Sequence, residues 1–209
     1  FDSKGEAKAL KPFAASSIPL VTVGVFILWL GWFGFNRGSQ LAIGTFDDAV
    51  AVSSIFINTN LAACGGVMAA AIITRLIYGK TDVVQMLNGA IGGLVAVTAE
   101  PLAPTPLAAI FIGAIGGLIV VFGTKLLFSF KLDDVVGAIP AHMFAGIWGT
   151  LAFGIEAASR THFNKSAKEL NILEAATLVG SVNAVYAYNP RLFSERSKQR
   201  RNIVLRLMN

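Results

Sequence analysis

Charge-free apolar runs separated by short polar groups set the rhythm of this chain. Residues 1–17 are polar, with Lys4, Lys8 and Lys11 ahead of Pro12. From Ile18 to Phe35 no charge interrupts the sequence. At 1.5 Å per residue those eighteen positions cover about 27 Å, enough to cross a bilayer as a helix. Pro19 falls in the first turn, where its missing N–H matters little. A second run extends from Ala49 to Tyr78 and is long enough to require tilt. A third, Val84 to Thr98, ends in A-E-P-L-A-P-T-P, whose prolines cannot continue a helix. A fourth runs from Pro106 to Phe130 and a fifth from Val135 to Ile155. The expectation is an all-α, polytopic membrane protein with five transmembrane helices. Its parts are a polar lead-in (1–17), a membrane unit (18–155) and a basic, loosely ordered tail (156–209). The stretch 172–188 is mildly apolar but holds Glu174, Ser181 and Asn183, which makes it a poor sixth span.

Composition strengthens this picture. Of 209 residues, 55% are hydrophobic and 14% charged, with mean hydropathy +0.66. A soluble domain carries roughly 25% charged residues. The net charge of +5 owes much to the tail, where Arg191, Arg196, Lys198, Arg200, Arg201 and Arg206 cluster. Such a tail reads as a solvated or membrane-surface segment, not as a nucleic-acid site. The one cysteine, Cys64, excludes an intrachain disulfide and sits in a small-residue run. The chain begins at Phe1, without an initiator methionine, and is expected to be a fragment.

Basic residues near the span ends set an orientation. Lys4, Lys8, Lys11, Arg75, Lys80, Lys125 and Lys131 fall on one side and Arg37 on the other. The cation-rich side is expected to be cytoplasmic, together with the N-terminus. G-A-I-G-G-L occurs at Gly89–Leu94 and again at Gly113–Leu118. Small residues at this spacing let helix backbones approach closely, a simpler account than an internal repeat.

Polar groups at depth carry the functional signal. His142 stands alone among Ile139, Pro140, Ala141, Met143 and Phe144, and an ionisable group inside a span marks an ion or substrate pathway by default. The plainer alternative is an imidazole bonded to a backbone carbonyl. Asn58, Thr59 and Asn60 are polar within the second run and must face protein, water or a pore. Asp133 and Asp134 suit the N-terminal dipole of the fifth span. No nucleophile or metal-ligand set accompanies His142, so neither catalysis nor a cofactor is expected.

The first run closes in G-W-F-G-F-N-R-G-S, Gly31 to Ser39. Then follow N-T-N-L-A-A, the proline-rich turn, and D-D with a histidine eight residues on. In that order these motifs resemble the ammonium transporter (Amt/Rh) family, over roughly Pro12 to Ile155. The resemblance implies helices six to ten of an eleven-helix subunit, forming the second of two inverted five-helix repeats. It implies a homotrimer whose subunits each hold a hydrophobic, histidine-lined pore for ammonium or ammonia. By the same resemblance Ser39 is the recruiting serine, Phe35 a gate phenylalanine and Trp32 a pore aromatic, while the vestibule tryptophan, the first histidine and the other gate phenylalanine belong to helices outside the matched ones. His142 becomes the second of two pore histidines. Some relatives sense ammonium on this scaffold, and a nitrogen-regulatory PII-type protein is an implied partner. The physical chemistry is compatible: aromatic faces attract cations, and an apolar pore disfavours charged forms. Without the motif, Trp32 and Phe35 read as interfacial aromatics and Ser39 as a loop residue. Arg37 and Gly137 depart from the family pattern. The first puts a cation beside Ser39 unless Asp47 or Asp48 neutralises it, and the second implies a different cap for the fifth span.

Overall fold

A computed structural model describes residues 15–40, 43–181, 190 and 194–208, which are helical and divide after Thr150 into two units. In the first unit α1 spans Ile18–Arg37, α2 Phe46–Tyr78, α3 Val83–Thr98 and α4 Pro106–Ser129. A π-helical turn, Ile139–Phe144, then leads into α5, Ala145–Gly149. Among the described residues three helices, α1, α2 and α4, are long and apolar enough to cross a membrane. Apolar α3 has 16 residues, or about 24 Å. The fifth expected span starts as alternating π and α pieces. At 33 residues α2 measures about 50 Å, well over a ~30 Å hydrocarbon core.

Local caps move the boundaries from where hydropathy places them. The second span begins at Phe46, three residues earlier than the apolar run. Thr45 Oγ1 accepts from the Asp48 N–H, and the Asp48 carboxylate accepts from the Thr45 N–H. This capping box recruits two aspartates into the first turn, where the helix dipole favours them. The Asp82 side chain caps α3 through the Gln85 N–H, and Thr105 caps α4 through the Ala108 N–H. The fifth segment starts later than Val135. Gly137 sits at φ 72°, and Asp134 accepts from the N–H groups of Ala138 (3.0 Å) and Ile139 (2.8 Å). The altered cap anticipated at Gly137 is therefore a left-handed glycine closed by the upstream aspartate.

The core is made where α2, α3 and α4 meet. A methyl group on Gly113 or Gly93 would run into the Ala62 carbonyl, and one on Gly117 into that of Gly66. The two G-A-I-G-G-L copies are thus the surfaces by which α3 and α4 press on the small-residue stretch of α2. Around this contact Ala62, Ala63, Leu94, Ala109, Ile112 and Val120 are almost fully buried. Val25 of α1 joins Ile91, Val120 and Ala141 in a neighbouring cluster.

The second unit, Leu151–Asn209, contains α6 (Ile155–Phe163), α7 (Ile172–Ser181) and α8 (Ser194–Met208). Asn164 ends α6 in the left-handed region, and Ser159 Oγ donates to the Lys165 carbonyl at 2.7 Å. Lys165 pairs with Glu174 at 2.8 Å. The region expected to be loosely ordered is helical over these described residues. The part of the poor sixth span beyond Ser181 lies outside them.

Because the three-helix contact leaves no room for side chains, Gly113→Val should destabilise the protein by at least about 3 kcal/mol, the upper range for overpacking. Thermal unfolding in detergent, with Gly24→Val as a control at an open position, measures the difference.

Candidate functional site

The other two aromatic and imidazole candidates, Phe35 and His142, gather around Trp32. Its ring centroid lies 5.8 Å from Phe35 and 6.2 Å from His142, with the planes tilted by 52° and 31°. Trp32 and Phe35 come from the last turns of α1, and His142 from the π turn more than a hundred residues later. Phe35 is 67% exposed, and His142 is also exposed. Among the described residues, neither nitrogen of the His142 ring is hydrogen-bonded. The plain role of bonding a backbone carbonyl is therefore not the one seen. Both nitrogens remain free to donate or accept.

A chain of polar groups fixes the tryptophan. Trp32 Nε1 donates to Thr98 Oγ1 at 2.8 Å. The Thr98 hydroxyl lies 2.7 Å from the Leu94 carbonyl and 3.1 Å from Asn36 Oδ1, two acceptors for one proton. Asn36 Nδ2 donates to Thr59 Oγ1 at 3.0 Å. Asn36 is 1% exposed and Thr59 fully buried, so water does not substitute. The network ties α1 to α3 and α2 at one level of the bundle. Thr98 has no counterpart in the sequence-level argument. It reads there as the last residue of an apolar run, and only its partners, 62 and 66 positions away, reveal its place.

The remaining candidates separate. Asn58 is buried and donates to the carbonyls of Pro101 (3.0 Å) and Pro104 (2.8 Å), so it holds the proline-rich turn against α2. Those carbonyls need outside donors because the turn forms no helix. Thr59 belongs to the Trp32 network, and Asn60 is exposed. Ser39 lies in a 3-10 turn, Gly38–Gln40, and its side chain lies outside the described residues. Asp48 is engaged by Thr45 and Gln40, and among the described residues Arg37 has no carboxylate partner. Beside the His142 ring a cavity of about 430 Å³ is lined mainly by apolar side chains, among them Val21, Val25, Leu28 and Ala141. Such a cluster can present π-faces and imidazole nitrogens to a small hydrogen-bonding molecule and an apolar wall beyond them.

Comparison with known proteins follows the same lines. Residues 3–188 match the Ammonium Transporter Family, further in both directions than the motifs alone suggest. The chain is 45% identical over 155 residues to the ammonium transporter Amt2 of Archaeoglobus fulgidus, covering 74% of this chain and 32% of that protein. A solved structure titled sensor Amt protein is 35% identical with a TM-score of 0.62, over 66% of this chain and 33% of that one. Candida albicans Mep2, at 21% identity, shares the fold with a TM-score of 0.68 over 95% of this chain and 42% of its own. The chain spans about a third of the length of the curated relatives it matches.

Thr98→Val should strand the Trp32 N–H and weaken the hold on Asn36, a loss of about 1–3 kcal/mol for each polar group left unpaired. Thermal melts and a shift in tryptophan emission check this, and Thr98→Ser should retain both.

Proposed function

We infer the function from one premise: the chain belongs to the ammonium transporter family and is a membrane protein. We propose that it forms one wall of a pathway for ammonium or ammonia. The observation that carries this reading is the gathering of Phe35 and His142 about Trp32, with His142 also lining an apolar cavity. Aromatic faces return about 0.5–2 kcal/mol to a cation, and a hydrogen bond to a charged partner about 1.5–3 kcal/mol. Taking a small ion fully out of water costs several kcal/mol even after relaxation. Releasing a proton from an amine-type cation that titrates roughly two to three units above neutrality costs ~3–4 kcal/mol. At the aromatic mouth, where hydration persists, the cation is held. In the apolar stretch beside His142 the neutral amine is the cheaper species, and the imidazole nitrogens are placed to bond it or pass its proton. Potassium has no proton to give up and meets no carbonyl cage here.

The cation-rich side is assigned to the cytoplasm. That side follows from the placement of the basic residues; Lys125 Nζ lies 5.1 Å from the centre of the Tyr78 ring, which supports only that the C-terminal ends of α2 and α4 are neighbours. Arg75 and Lys80 belong to the same end. A homotrimeric assembly and a PII-type partner follow from the family alone and stand with it. Sensing is the second reading, favoured by the relative titled a sensor Amt protein. A sensor would bind ammonium without net flux.

The test is uptake of labelled methylammonium, competed by ammonium, with this chain co-expressed with the remaining helices of a family member. His142→Asp should lower uptake by about tenfold or more, equivalent to ~1.4 kcal/mol of barrier, or abolish discrimination against potassium. Unchanged, selective uptake would remove His142 from the pathway. Binding without uptake in the unmodified protein would favour sensing.

A further inference from the structure

Pro140 creates a vacancy in the hydrogen bonding of the segment that carries His142. In a regular helix the N–H of residue 140 would bond the Val136 carbonyl, four residues earlier, but proline has no N–H. Asn88 of α3 fills that place: its Nδ2 donates to the Val136 carbonyl at 3.0 Å. Gly137 makes the approach feasible, since a Cβ there would lie 2.5 Å from the same nitrogen. From the other side Asp134 secures the N–H groups of Ala138 and Ile139. Past the proline the winding is wide, and the Ala145 N–H reaches back five residues to the Pro140 carbonyl. His142 sits midway through that turn, and a π turn interrupting an α-helix is a frequent mark of a functional position. Asn88 and His142 line the same cavity from opposite elements.

We propose that Asn88 is a positioning residue for His142: by holding the carbonyl that Pro140 leaves open, it ties the π turn to α3 and sets the register at which the imidazole meets Trp32. The bond itself is independent of what the channel carries. Its importance to transport rests on the reading of His142 as a pathway residue.

Pro140→Ala supplies the missing donor from within the helix, so it should make Asn88 dispensable. The chain is reconstituted in lipid nanodiscs with isotope-labelled histidine. It has two histidines, and the His142 ring signals are assigned by their loss in His142→Gln. Asn88→Leu, which keeps bulk and removes the donor, should shift and broaden those signals. In the Pro140→Ala background the same substitution should move them by less than a third as much. Uptake should fall about tenfold in Asn88→Leu and recover by half or more in the double variant. If Asn88→Leu fails to fold while the double variant folds with native His142 signals, the proposal stands. Failure of both, an unmoved His142 signal in Asn88→Leu, or equal shifts in the two backgrounds overturns it. Should the unmodified protein not transport at all, the histidine signals still decide the positional claim, and only the pathway reading is lost.

Discussion

Backbone-to-backbone contact among α2, α3 and α4 is the constraint on which the rest of the first unit depends. Lipid tails are as apolar as leucine, so helices in a bilayer gain little by burying apolar surface against one another. What holds them is close packing and the hydrogen bonds it permits. Gly66, Gly93, Gly113 and Gly117 let the three axes approach until carbonyls touch the space a Cβ would need. Only because α3 is drawn in this far does Thr98 reach the indole of Trp32 at one end and Asn88 the Val136 carbonyl at the other. The shortest of the helices α1 to α4 thus sets the geometry of both halves of the site.

That dependence explains why the polar residues of α2 divide as they do. In a low-dielectric interior an unpaired polar group costs more than a hydrogen bond returns. Each buried one must therefore find a partner, and each partner fixes an element. Asn58 satisfies two carbonyls of the proline-rich turn, and Thr59 receives Asn36. Neither is free to serve a passing solute. Asn60, one position further around the helix, is exposed. His142, exposed like Asn60, has a ring bonded to nothing among the described residues, which separates it physically from Asn58 and Thr59.

The membrane helices were legible because absence of charge over eighteen or more residues has few other meanings. The edges were not, because they are decided by single side chains. Thr45 and Asp48 start α2 early, whereas Asp134 and Gly137 start the fifth segment late. The grouping of Trp32, Phe35 and His142 was suggested by the order of motifs, not by spacing, since nothing local links α1 to a turn so far along the chain. The partners of Asn88 and Thr98 are invisible in the sequence for the same reason. An asparagine or threonine in an apolar run announces that some group must be satisfied, but not which one. Pro140 was visible as a break, and the carbonyl it frees could have been counted. Only the fold says that α3 supplies the donor.

Arg37 is the feature most at odds with a cation pathway, and magnitude decides its effect. Asp48 does not neutralise it, being held by Thr45 and Gln40. Yet Arg37 occupies the last turn of α1, where the helix dipole favours a cation, and its stem can lie along apolar surface with the head in water. At a hydrated surface two unit charges about 8–10 Å apart repel by roughly 0.4–0.5 kcal/mol. One aromatic face returns ~0.5–2 kcal/mol. The indole and phenyl rings of Trp32 and Phe35 would therefore outweigh the guanidinium so long as it remains in water. On the proposed pathway Arg37 would lower cation occupancy beside Trp32 and Phe35 by a factor of about two and would leave a neutral amine beside His142 unaffected.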